Sequence, residues 1–260
     1  MTHRCDRHYV DYLSGSPLKV GVAVGGGSVQ GQVRNTQFNP HYWSRFDERN
    51  PFFPRGRTNF RTLWTYQKEN LDAMWIGNCR EELLFQNFVY GSLYGIHFAQ
   101  QDGQGPKNAV VHGHGTDGSK VGVFFEQGDG RIDMVNSELV AMSSENKIAI
   151  KLGAACSGSA RLVNTMVWGD PSTLALVENG RLVLQGLHAH RHGNGLQVQR
   201  GQVTAVNVNF TSRGDHLSLT ESQAKATLLG IITHGPLELG GTPMGEEAPA
   251  NIVSRGNISR

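Results

Sequence analysis

The chain has 260 residues, with 24 Lys and Arg against 22 Asp and Glu, a formal charge of +2, and 38% hydrophobic residues. That length suits a single domain, while so slight a charge without a Lys/Arg run argues against nucleic acid, and no apolar stretch reaches membrane-spanning length. Its 3 cysteines, Cys5, Cys79 and Cys156, are odd in number and far apart, which argues against a disulfide framework or zinc ribbon and leaves free or buried thiols.

In chain order, residues 1–17 read as a polar, aromatic lead-in or cap. The opening MTHRCDRHYV lacks the apolar stretch of a secretory leader, as a mature or truncated form would. From residue 18 to about 240 a two-part unit repeats. It opens with period-2 apolar alternation: VGVAV, YGIHF, VGVFF, IAIKL, LALVE, LQVQR and LSLTE. It closes with two short strands hinged on Asn or Gly: GQVRNTQF, LLFQNFVY, IDMVNSEL, ARLVNTMV, LVLQGLHA, TAVNVNF and TLLGIIT. The hinge is Asn35, Asn87, Asn136, Asn164, Gly186, Asn207 and Gly230, and AVVHGHG around His112 and Gly113 adds an eighth, degenerate copy. After one large gap the hinges recur every 21 to 28 residues or so, the spacing at which one supersecondary unit stacks on the next. The gap, residues 40–70, interleaves aromatic residues with Arg, is too aromatic for disorder, and should pack on the repeat. Residues 241–260 read as an exit tail.

Alternation of β-branched and aromatic residues, broken by Gly, Asn and Ser, reads as strand, and no helical apolar spacing long enough to cover a sheet intervenes. Parallel strands coiling directly on one another follow, with about eight coils and right-handed crossovers. The Asn column has a physical cause: Asn tolerates the left-handed backbone of a sharp turn, and its amide can reach the next coil about 4.8 Å away.

This stacked-Asn pattern, over about residues 18–240, resembles the right-handed, single-stranded parallel β-helix of the pectate-lyase-like superfamily. The resemblance implies an all-β solenoid. It also implies a carbohydrate-related role within a fold that hosts lyases, hydrolases, esterases, epimerases, phage tailspikes and non-catalytic adhesins. An extracellular or virion-associated setting and a homotrimer belong to the same expectation.

Counted from the hinge, first and third residues should point inward and second and fourth outward. The expected outward set is Gln37 and Asn39, Val89 and Gly91, Glu138 and Val140, Met166 and Trp168, His188 and His190, Asn209 and Thr211, Ile232 and His234. His114, Thr116 and Asp117 join it if the third coil keeps register. On the other strand family, Gly95, Gly122, Ala149, Ala175 and Ser218 are expected outward, a face small enough for close approach. Sugars present apolar ring faces and many hydroxyls. Trp168, Asn209 and His114, with Trp43, Arg45 and Tyr42 from the insertion, are therefore candidate substrate-binding residues for a polysaccharide or oligosaccharide.

Two catalytic kits are open. Hydrolysis needs two carboxyls, which Glu138 with Asp117 or Asp170, or Asp47 and Glu48 of the insertion, could supply. A uronate lyase needs a base and a neutraliser, and His188 and His190, beside Arg191 and His192, suit it. The superfamily's calcium-binding Asp cluster has no match here, so no cofactor is expected, with a divalent cation left open; HAHRH lacks a third metal ligand in register. The alternative class is a non-catalytic glycan-binding or fibre module.

Overall fold

The computed structural model describes residues 3–44, 60–126, 128–141, 147–244 and 249–259. The chain winds as a parallel β-solenoid of ten coils, built from three ten-stranded sheets. Sheet A runs from Tyr9–Asp11 to Ile252–Arg255, sheet B from Ser14–Gly15 to Ile258–Ser259, and sheet C from Val20–Val24 to Thr242–Pro243. The first eight coils each contribute one strand to A, then B, then C; the ninth gives two strands to C, and the last adds strands to A and B. Among the described residues only the last pair of sheet C, Glu238–Leu239 with Thr242–Pro243, is antiparallel. Ten coils rather than eight form because the flanks join the sheets: residues 9–15 supply the first coil, and residues 252–259 the last.

The sharp A-to-B turn explains the repeat. Ten residues in register, Tyr12, Asn35, Gln86, Gly113, Asn136, Asn164, Gly186, Asn207, Gly230 and Gly256, all have φ between 48° and 69°. Only residues that tolerate the left-handed region sit there cheaply, which selects Asn and Gly. In the third coil the hinge is Gln86, not Asn87. Asn87 falls one place later and is buried, where its Oδ1 accepts from the Thr36 amide at 3.0 Å and its Nδ2 donates to the Val33 carbonyl at 2.9 Å. The side-chain ladder along the column is exposed and short: Asn164 Nδ2 donates to Asn136 Oδ1 at 2.7 Å, and Gly breaks the run above.

Inward positions form the core. In sheet A one column reads Val33, Leu84, Val111, Met134, Leu162, Leu184, Ala205 and Leu228, all buried and in register. In sheet C Phe98 stacks on Phe125 at 5.0 Å. Gly95, Gly122, Ala149 and Ala175 are buried, not outward. Two successive residues near the start of these strands are buried, Gly95 with Ile96 and Gly122 with Val123, and a Cβ on Gly95 would lie 2.5 Å from the Gly122 carbonyl oxygen. The outward column there is Trp75, His97, Phe124, Lys151, Leu176, Gln197 and Ser218.

The insertion leaves sheet B after Gln37–Phe38, forms α1 (His41–Ser44), and returns through α2 (Phe60–Asn70) to sheet C. The α2 helix buries Leu63 and Gln67, whose Nε2 donates to the Pro17 carbonyl at 2.7 Å. Trp64 lies 6.2 Å from Tyr90 and covers Gly91 and Gly118, where a side chain would collide with or crowd the indole. Arg45, Asp47 and Glu48 lie outside the described residues.

Candidate functional site

Register places most of the expected wall on the outward face of sheet B. One column runs Gln37, Phe88, Gly115, Glu138, Met166, His188, Asn209 and Ile232; the column beside it includes Tyr90, Asp117, Val140, Trp168 and His190. Two coils depart from expectation by one residue. Phe88 and Tyr90, not Val89 and Gly91, face outward in the third of the ten coils, because Gln86 is its hinge. In the fourth of the ten coils Gly113 is the hinge, so His114 and Thr116 point inward and Gly115 and Asp117 outward. His114 is 2% exposed with Nε2 against Thr116 Oγ1 at 2.6 Å, and burial pushes its pKa down to about 3. It is a neutral core histidine and adds nothing to the wall.

On the wall, Trp168 is 39% exposed and Met166 47%. The Trp168 indole N–H donates to Glu138 Oε1 at 2.5 Å, which orients that exposed carboxylate from the next coil. One coil in the other direction stands Asp117, half-buried, with Oδ1 lacking a hydrogen bond among the described residues. Burial pushes the Asp117 pKa up and Glu138 adds to this, while Lys147 opposes it. Asp117 and Glu138 are one strand and two residues apart, so their Cα atoms lie about 8 Å from each other. Behind them the fully buried Lys147 amine has no hydrogen-bond partner among the described residues, and burial first, then Lys68, brings its pKa down to about 8.

His188 is half-buried, with Asn209 Nδ2 3.2 Å from its Nδ1. Donation from that amide puts the neutral ring's proton on Nε2, which makes the free side of His188 a donor rather than a base. His190 is exposed beside Trp168, its backbone amide bonded to the Val167 carbonyl. Beyond the wall's edge Asp170 pairs loosely with Arg191 at 3.9 Å. Tyr42 and Trp43 are exposed on α1, and the Tyr42 hydroxyl donates to Gln37 Oε1, so α1 stands against the Gln37 end of this face.

One cluster was not foreseen. On sheet C, His97 Nδ1 meets Asp72 Oδ2 at 2.6 Å and its Nε2 meets Glu126 Oε2 at 3.3 Å, with the ring stacked on Phe124 at 4.9 Å. Aligning DAMWI under YGIHF and VGVFF would have put Trp75, His97 and Phe124 in one column. Only Nδ1 is hydrogen-bonded to a carboxylate; Nε2 has a charge contact with Glu126 but no hydrogen bond among the described residues, and neither has Asp72 Oδ1, so the group bridges coils without being fully satisfied. Cys79 and Cys156 are buried and Cys5 exposed; burial pushes the Cys79 thiol up to about 12 and Cys156 upward, which removes both as nucleophiles at neutral pH. Among the described residues no group of three His, Cys, Asp or Glu side chains is placed to hold a metal.

The class these sheets define is a parallel β-solenoid. Comparison of the chain with family models, with curated proteins and with solved structures gave no match.

Proposed function

We propose that the outward face of sheet B binds polysaccharide and that Asp117 and Glu138 hydrolyse it. The observation that carries this reading is one continuous surface on which an exposed indole anchors Glu138 while a second carboxyl, Asp117, stands diagonally behind it. Glycoside hydrolysis needs one carboxyl that holds a proton and one that does not, and contrasting environments separate the two. Asp117, pushed up by burial and by Glu138, is the acid. The exposed, indole-oriented Glu138 is the base. The Cα separation of about 8 Å leaves room for the carboxyls of an inverting pair, which stand about 6.5–9.5 Å apart with a water between sugar and base. Trp168 offers a flat apolar face for a pyranose, and His188 Nε2, His190 and Asn209 line the same face as hydrogen-bonding groups.

The lyase kit is less well supported, because the Asn209 contact leaves His188 as a donor. Glu138→Gln and Asp117→Asn should each lower cleavage 10²–10⁴-fold, the usual worth of a positioned acid or base. Loss confined to His188→Ala would replace hydrolysis by β-elimination. A second reading, a glycan-binding or fibre module that assembles as a homotrimer, draws on one observation: Tyr12, Leu13, Leu18 and Val20 are exposed on the first coil. Sedimentation of the chain at micromolar concentration separates a trimer from a monomer, and binding without cleavage would favour that module.

A further inference from the structure

Three successive corners lead from sheet B to sheet C after Trp168, Ala189 and Phe210, and together they enclose an open recess of about 540 Å³. Asp170, Ser172, Arg191, His192, Thr211 and Ser212 line it. The recess continues the wall around its edge, since the corners that line it leave sheet B directly after Trp168 and Ala189.

His192 distinguishes the recess from an ordinary surface dip. It is 7% exposed, yet neither ring nitrogen makes a well-formed hydrogen bond among the described residues, the Gly193 backbone giving it only a loose polar contact, and the buried Ser212 Oγ has none. Its neighbour His216 is satisfied: Nε2 lies 3.3 Å from the Ser212 carbonyl and Nδ1 accepts from the Glu238 amide at 3.1 Å. His192 instead rests edge-on against Phe210 at 5.5 Å and His216 at 6.2 Å, an apolar floor that fixes the ring. Burial first, then His216, pushes the His192 pKa down to about 4, with the Gly193 backbone opposing, so the ring is neutral at physiological pH. A neutral imidazole offers one donor and one acceptor, and a hydroxyl offers both. Buried polar groups of this kind call for partners.

The remaining lining sets the ligand's charge. Asp170 and Arg191 stand 3.9 Å apart at the rim, one acceptor and one donor of opposite sign. The pair carries no net charge and the other lining groups are neutral, so the recess has no net charge to balance a carboxylate or an ammonium. A neutral vicinal diol, each hydroxyl donating and accepting, matches all four groups. We propose that this recess is a subsite for a neutral pyranose unit at the edge of the sheet B groove, held through His192 and Ser212. This inference rests on the carbohydrate reading of the wall and adds that the substrate is a neutral glycan, not a uronate or amino-sugar polymer.

The test is NMR of the full chain with ¹⁵N-labelled histidine, titrated with neutral hexasaccharides (cello-, manno- and malto-), with oligogalacturonate, and with chitosan oligomers. At least one neutral hexasaccharide should move the His192 ring resonances, and His192→Phe and Ser212→Ala should each weaken its binding about tenfold or more. The Phe variant keeps the flat ring and loses only its polar atoms; Ser212→Ala guards against a folding defect in it. A neutral glycan that quenches Trp168 fluorescence while the His192 resonances stay still would leave the groove intact and overturn the subsite. Preferential binding of oligogalacturonate or chitosan through His192 would overturn the neutral assignment. No binding by any probe would overturn both subsite and groove.

Discussion

Replacing Lys147 by Met removes a buried amine and keeps a linear chain of similar length. The amine has no hydrogen bond among the described residues, and its pKa stands at about 8 instead of 10.5. At about 1.36 kcal/mol per pH unit, that difference corresponds to roughly 3 kcal/mol of unfavourable charge burial. Part of the gain is lost because Asp117 then has no nearby cation, so Lys147→Met should stabilise the fold by roughly 1–3 kcal/mol at pH 7. The Lys147 carbonyl, which accepts from Ser172 Oγ at 2.7 Å and the Thr173 amide at 3.1 Å, is untouched. The pH dependence fixes the sign. Below pH 8 both folded and unfolded states carry the proton and the full penalty holds. Between 8 and 10.5 the unfolded state still binds the proton while the folded state has released it, so wild-type stability rises with pH and the gap to the variant closes. Urea denaturation from pH 7 to 10 reads this directly. A destabilised variant, or a gap that stays constant to pH 10, would refute the account of a buried, strained lysine behind Asp117.

Other expectations follow from the same geometry. Asn164→Gly should leave stability nearly unchanged and Asn164→Leu should cost roughly 1–2 kcal/mol, because the hinge demands positive φ and its amide bond is exposed. Asn87→Leu should cost more, about 1–3 kcal/mol for each of the Thr36 amide and Val33 carbonyl left unpaired, and thermal unfolding ranks the three variants. Acidification from pH 6.5 towards 4 should destabilise the chain through His192, since the unfolded ring takes up a proton that the folded ring refuses; His192→Phe should remove roughly 1–3 kcal/mol of that loss. Trp168→Ala should weaken glycan binding about tenfold without lowering the melting temperature by more than a few degrees, because the ring is exposed and its partner Glu138 faces solvent.

The solenoid was legible because its hinge imposes a backbone constraint that few residues satisfy, and Asn35, Asn136, Asn164 and Asn207 announce it at a regular period. Where the hinge residue was Gln86 the signal misled. Asn is the better left-handed residue, but Asn87 is used inside to bond two backbone groups of the neighbouring coil. HGHG offers two glycines for one turn, and the choice of Gly113 turns His114 inward and Asp117 outward. The wall from Glu138 upward followed from counting. The contrast in burial between Asp117 and Glu138 did not, because the burial of Asp117 and the presence of Lys147 behind it depend on how coils stack and not on either strand alone. The His192 recess lies in corners of unequal length, GDPS, HRHG and TSRGDH, which carry no period to count.

The most direct measurement is incubation of the wild-type chain with a panel of neutral and acidic polysaccharides, following both new reducing ends and the ultraviolet absorbance of unsaturated uronates. The hydrolytic groove predicts reducing ends from a neutral glycan, no unsaturated product, and loss of both activity and new ends in Glu138→Gln. Unsaturated uronate as the product, or a panel left wholly uncleaved, would contradict it.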